Sequence, residues 1–397
     1  MLLIIGDDCT YRELPVYGGK NARTPNRDPT LPHDLDGVRE FVTRDESPFL
    51  LVVGLTEPHV PWVMGDASAY PPAKLELPKN LADTEMMREC YSRYLAEITY
   101  MDGQVGDLVE MIAATNKRDD TIVIFTSEQG AQFPGFKWTN YDVGVHTGLI
   151  VRWPGKVAEG TRTDALVQYA DVVPTLLDAA GAGAEQVTKA GLDGDSFLPV
   201  LLGNSKTHRD YVFGTHNNIP EGPPYPIRSI GDGRYRYIRN LIPENIYIEK
   251  HLMGVTGSDH VSRNYWKTWM WDAGTSEHTY ALIQRYQNRP AEELDDSTTD
   301  PLEMKNLASD ESMQAIKQRL SSRLDEWFVC QTTRGLGWTP CHLIGRRRKA
   351  STFTGDKRLA IEALYGGIWS QTRTRLRGDR ASTPPASEVV RLLSRFG

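Results

Sequence analysis

Residues 2–8 read LLIIGDD: four apolar residues, a glycine, then two adjacent aspartates. Two more continuous apolar runs follow, FLLVVGL at 49–55 and TIVIFT at 121–126. None of the three alternates polar with apolar, and β-branched residues are frequent. That pattern predicts strands buried on both faces of a parallel sheet. Between the second and third runs, Met87, Tyr91, Tyr94, Ile98, Met101, Val105, Leu108 and Ile112 recur at alternating steps of four and three. This spacing predicts one long helix, from about 83 to 114, with a single apolar face. Strand, helix, strand in this order makes a βαβ crossover and an α/β domain. GLIVRWPG (148–155) reads as a further strand, and YADVVPTLLDAAG (169–181) as a helix closed by Gly181.

Beyond about residue 205 the pattern changes. DYVFGTH (210–216), PIRSI (226–230) and RYRYIRN (234–240) read as short strands, with GDG marking a hairpin between the last two. A helical stretch to Gln287 and an amphipathic helix bearing Met313, Ile316, Leu320 and Leu324 complete the region. The expected fold class is therefore α/β: a mixed, mostly parallel central sheet covered by helices, with a small C-terminal antiparallel sheet plus helix. The expected domains are 1–205, 206–330 and a basic tail, 331–397. That tail carries thirteen Lys/Arg against four Asp/Glu, inside a chain whose formal net charge is −7. Rich in Arg, Ser and Thr and without sustained periodicity, it reads as a disordered or out-of-frame extension, with an anion-seeking arm as the alternative. The strongly acidic body argues against a nucleic-acid partner.

The chain contains no apolar run long enough to span a membrane. Met1 abuts the first predicted strand, with no charged leader or cleavage site, which suggests either a cytoplasmic protein or a lost natural start. Cys9, Cys90, Cys330 and Cys341 show no zinc-type spacing. Compartment and oligomeric state stay unassigned.

In open α/β sheets, ligands bind beyond the carboxyl ends of the strands. After the first strand come Asp7 and Asp8; after the second, His59 in EPHVPW; after the third, Glu128 and Gln129 in SEQG. Three carboxylates and an amide make a hard, oxygen-only set suited to Ca²⁺, with Mg²⁺ second, rather than zinc or copper. For the aspartate pair alone, capping a turn is an equal alternative; the second pair tips the reading toward a metal. Lys137, in QFPGFKWTNYD, supplies a point charge for a tetrahedral anion, and His59 a donor to that anion or to a leaving group. A solvated Lys and a backbone-satisfied His are the plainer alternatives. His216 and His146 are weaker candidates.

These segments carry a resemblance. LLIIGDDCTYRELPVYGGKNARTPN, EPHVPW, IVIFTSEQG, GLIVRWPG, YADVVPTLLDAAG and DPLEMKNLA resemble the sulfatase family, in order, over roughly residues 1–330. QFPGFKWTNYD, VFGTHN and YPIRSI are most similar to its heparan N-sulfatase branch. The resemblance implies an alkaline-phosphatase-like fold and hydrolysis of sulfate esters or sulfamates on a sulfated sugar or glycosaminoglycan. It also implies Ca²⁺ on Asp7, Asp8, Glu128 and Gln129, sulfate held by Lys137 and His59, and sugar contacted by His216. Family members more often carry Asp then Asn or His where this chain has Glu128 and Gln129.

In that family TPN leads to a nucleophile motif, Cys/Ser-x-Pro/Ala-x-Arg, whose Cys or Ser becomes formylglycine. Here TPN (24–26) runs straight into RDPTLPHDLDGVREF, text that belongs after that region, and the motif occurs nowhere in the chain. Among the cysteines, Cys330 has an Arg at the right spacing, in CQTTR, but without the Pro. The expectation is a chain internally deleted near 26–27 that does not turn over. Two alternatives remain: a metal-dependent sulfoglycan binder, and a phosphoester hydrolase of the same superfamily using Thr10.

Overall fold

In the computed structural model, the described residues are 1–9, 35–253 and 265–333. The junction after Asn26, Thr10 and residues 334–397 of the basic tail lie outside them. Residues 1–336 make one compact unit containing two four-stranded sheets.

The first sheet is built from β1 (Leu2–Gly6), β2 (Leu51–Leu55), β3 (Val123–Ser127) and β4 (Leu149–Arg152), in the order β2-β1-β3-β4. β1 pairs in parallel with β2 and β3, while β4 runs antiparallel to β3. Before β2 lies α1 (Asp36–Thr43), and between β2 and β3 the predicted long helix, α2 (Glu85–Ala114). The side chain of Thr84 caps α2 by accepting the Met87 N–H at 3.2 Å. Its predicted stripe, of which Val105 is only partly buried, packs against Leu2, Ile4, Val123 and Phe125 on one face of the sheet. Short α3 (Asp142–Val145) precedes β4, and α4 (Val172–Ala179), α5 (Ala184–Lys189) and α6 (Leu198–Leu201) follow it. α4 covers the second face, where Val172, Leu176 and Phe197 meet Leu3, Ile122 and Ile124. Losing a side chain such as Ile124 to Ala would cost about 2–5 kcal/mol.

One strand departs from expectation. β2 is not buried on both faces: Leu51, Val53 and Leu55 pack toward α2, but Val52 is 54% exposed. β2 is an edge strand, and the α4 cluster packs over β1 and β3 without extending across it.

The second sheet, β5 (Val212–His216), β6 (Ile227–Gly231), β7 (Tyr235–Asn240) and β8 (Glu292–Asp296), is antiparallel throughout and ordered β5-β6-β7-β8. Between β7 and β8 stand α7 (Tyr265–Asp272) and α8 (Glu277–Gln287), and α9 (Gln314–Thr333) closes the region, burying Leu320 and Leu324. β8, sequence EELDD, has no strand signature, because Asp and Glu are poor strand formers. It forms by pairing antiparallel with β7, and two of its acids meet arginines: Glu293 is buried against Arg289 at 2.8 Å, and Asp296 pairs with Arg234 at 2.8 Å.

Candidate functional site

The parallel register decides where the polar residues emerge. Gly6 is level with Leu55 on one side and Ser127 on the other, so Asp7, Thr56 and Glu128 leave the sheet at one height. The loops then lock to one another. The Asp7 N–H donates to Glu57 O at 3.2 Å and the Glu128 N–H to Gly6 O at 2.8 Å. Gly130 is required here, since a Cβ would overlap the Val143 carbonyl oxygen.

Asp8 is the centre of the cluster. It is fully buried and left-handed (φ 59°), a conformation Asp tolerates better than most residues. Its Oδ1 accepts from Lys137 Nζ at 2.6 Å and from Gln129 Nε2 at 3.2 Å. Its Oδ2 lies 3.7 Å from His59 Nε2. The His59 Nδ1 is 2.6 Å from Val60 O, which holds the proton on that nitrogen and turns Nε2 toward the site. Lys137 is buried on the turn after β3, where its N–H donates to Ala131 O and its ammonium lies 4.9 Å from the Trp138 ring centre.

One oxygen each from Asp7, Asp8 and Glu128 fall within 4.8 Å of one another. Two oxygens on opposite sides of a calcium ion, each about 2.4 Å away, stand about that far apart. Asp7 Oδ1 and Asp8 Oδ2 are buried without a hydrogen-bond partner, the signature of carboxylates short of positive charge. Burial raises the Asp7 carboxyl, with Asp8 adding to it, and burial raises Asp8 despite Lys137. Glu128 is raised first by the hydrogen bond it shares with Asp7, then by burial. The donor set therefore fits a hard divalent cation. Gln129 donates its amide nitrogen to Asp8; turned end over end, the same amide presents its oxygen instead.

Six of the eight candidates thus converge. His216 stands at the end of β5, where its carbonyl accepts from Arg228 at 3.1 Å. Burial pushes its imidazole down to about 4. His146 is half-exposed at the end of α3, 3.3 Å from Asp142. The sequence pattern assigned Tyr94 only to the core stripe of α2, yet its hydroxyl donates to Asp8 O at 3.3 Å. A phenol inside an apolar stripe is the available hint, since a buried hydroxyl needs a partner.

Comparison with known proteins bears on the same segments. The sulfatase family profile matches residues 34–182, and the profile for the C-terminal part of N-sulphoglucosamine sulphohydrolases matches 136–247. Together they cover more than half the chain; Asp7 and Asp8 stand upstream of the first match. An ulvan-active sulfatase of Formosa agariphila is 28% identical over 75% of this chain and 55% of its own length. The N-sulphoglucosamine sulphohydrolase of Homo sapiens is 26% identical over 73% of this chain and 62% of its own. The chain thus spans a little over half the length of these curated relatives.

Among solved structures, a phosphonate monoester hydrolase from Silicibacter pomeroyi aligns with a TM-score of 0.51 at 18% identity, covering 79% of this chain and 65% of its own. A Bacteroides thetaiotaomicron protein of a locus for metabolism of multiple glycosaminoglycans aligns at 0.53 and 19%, covering 76% and 61%. At such identities these two establish the fold alone, an alkaline-phosphatase-like mixed sheet with a second antiparallel sheet. With both profiles in register along the chain, the protein belongs to the sulfatase family.

Proposed function

We propose that the strand-end cluster is the sulfate-holding site of a hydrolase of sulfated glycans, carrying calcium on Asp7, Asp8, Glu128 and Gln129. The observation behind this reading is Asp8: a buried carboxylate touched by Lys137 and Gln129 and faced by His59, with one oxygen still unpartnered. When bound, a divalent cation would neutralise the carboxylates and polarise a sulfate oxygen. Lys137 is buried and so presents a weakly screened charge to a sulfate anion. His59, its Nδ1 tied to Val60 O, directs Nε2 toward the sulfate or the leaving oxygen. His216 is proposed for the sugar. The relatives' names, ulvan-active sulfatase and N-sulphoglucosamine sulphohydrolase, support a sulfated-glycan ester or sulfamate as the ligand class.

As the chain stands, we propose that it binds without cleaving. Splitting the bond needs a positioned nucleophile, and the sequence contains no Cys/Ser-x-Pro/Ala-x-Arg. The buried Cys90 is no substitute, its thiol pushed up to about 12 by burial. The test uses the full chain and a heparin-derived N-sulfated disaccharide, with calorimetry for binding and ion chromatography for sulfate. Saturable, calcium-dependent binding without sulfate release, lost in Asp8→Ala, is expected. Release of sulfate would overturn the inactive reading, and absence of calcium-dependent binding would overturn the site itself.

A further inference from the structure

The loop after β2 carries His59, and it is fastened at several points. The His59 N–H donates to Thr56 O at 2.9 Å, and the Trp62 indole to Pro58 O at 2.8 Å. Trp62 is buried between Tyr94 and Phe133, with ring centres 5.7 and 5.0 Å away. The last fastening is of another kind. The N–H groups of Val63 and Met64 both donate to Oε1 of Glu97, at 2.7 and 2.6 Å.

Glu97 sits on the buried face of α2, 1% exposed, between Ala96 and Ile98, which are wholly buried. A carboxyl group there carries a large desolvation cost, and burial pushes it up to about 7. Placed in the middle of a thirty-residue helix, it has no capping role. Its only hydrogen-bond donors among the described contacts are those two loop amides. The backbone of the loop also lies directly on the helix at this level: Gly65 has φ +73°, and a Cβ there would overlap the Ala96 carbonyl oxygen. Helix and loop therefore meet in one tight joint, four residues from His59.

We propose that Glu97 is the positioning residue for His59: it fixes the loop to α2 and thereby sets the imidazole against the Asp8 cluster. The importance of this placement for sulfate rests on the functional reading above; the placement itself does not. Oε1 accepts both N–H groups whether or not the carboxyl is ionised, so Gln preserves the joint and an apolar side chain of equal length breaks it.

The test compares wild type with Glu97→Met, Glu97→Ala and Glu97→Gln, with far-UV circular dichroism as the folding check. At fixed pH, ¹⁵N shifts of the His59 ring and hydrogen exchange at Val63 and Met64 report the joint. Glu97→Met and Glu97→Ala should shift the ring signals and speed exchange at both amides about tenfold or more, while Glu97→Gln restores both. In the calcium-loaded protein, Glu97→Met should bind inorganic sulfate about tenfold more weakly with calcium affinity unchanged, as expected when one contact to the anion is displaced. A folded Glu97→Met with wild-type His59 shifts would overturn the proposal. So would failure of both apolar variants to fold, which would make Glu97 a core group and nothing more. If wild type binds no sulfate, the functional reading falls, and the ring shifts still decide the role of Glu97.

Discussion

Asp8 and Glu293 are both buried carboxylates, and they behave in opposite ways. Burial pushes Glu293 up, but Arg289 overrides it, with Tyr141 and Asn240 assisting, and the group lies below its usual range. Its Oε1 accepts from Arg289 at 2.8 Å and from Asn240 at 2.8 Å, and its Oε2 from the Tyr141 hydroxyl at 2.6 Å. Asp8 has Lys137 at 2.6 Å, yet burial wins and its carboxyl is raised. The difference is countercharge. Glu293 has a guanidinium of its own at 2.8 Å, whereas Asp8 shares one ammonium with Asp7 and Glu128. Equal burial therefore goes with a neutralised charge in one place and with carboxylates short of positive charge in the other.

The sharpest way to break this comparison is Arg289→Met. It strands Glu293 in the interior, and thermal or urea unfolding should show a loss of about 3–5 kcal/mol. A loss under about 1 kcal/mol would mean that the arginine is not what holds Glu293. At the other carboxylate, Asp8→Asn should abolish the stabilisation by calcium, which for wild type is about 2.7 kcal/mol at a hundredfold excess over Kd. Differential scanning calorimetry with and without calcium reads this directly; an undiminished calcium effect would place the ion elsewhere.

Acidity offers a subtler test. Glu97 and Glu249 are raised to about 7 and Asp102 to about 6, in each case first by burial, and the site carboxyls are raised as well. A raised carboxyl contributes stability that is complete below its unfolded pKa and is lost as pH climbs through its folded value. The Tm of the metal-free protein should therefore fall between pH 5 and pH 8. Excess calcium should flatten that slope, because the ion binds the deprotonated carboxylates. Glu293, with a lowered value, works in reverse: its contribution is present above its unfolded pKa and lost as pH falls through its folded one. The smallest expected effect is Tyr141→Phe, which removes one hydrogen bond from Glu293 and should cost about 1–2 kcal/mol by urea unfolding; a neutral result would assign the lowering of Glu293 to Arg289 alone.

Much of this was open to a reader of the chain. The runs at 2–5, 49–55 and 121–126 announced parallel strands, and the stripe from Met87 to Ile112 announced α2, because apolar periodicity is local information. Parallel strands necessarily deliver their following residues to one sheet edge, so Asp7, Asp8, His59, Glu128 and Gln129 could be grouped before any coordinates. Other features were not local. EELDD is a strand only through its ladder to β7, more than fifty residues away in the chain, and Val52 is exposed because β2 occupies an edge. Nothing in the sequence singles out Glu97; only the loop amides of Val63 and Met64, which donate to it, give that buried carboxyl a partner.

By itself, then, the sequence determined the strands and helices that carry apolar periodicity and the kind of chemistry gathered at the strand ends, since both follow from periodicity and side-chain type. Only the tertiary structure decided which buried charges are satisfied and which are left wanting. The reason is physical: the energy of a buried carboxylate depends on the few groups within hydrogen-bond reach, and most of those come from distant parts of the chain.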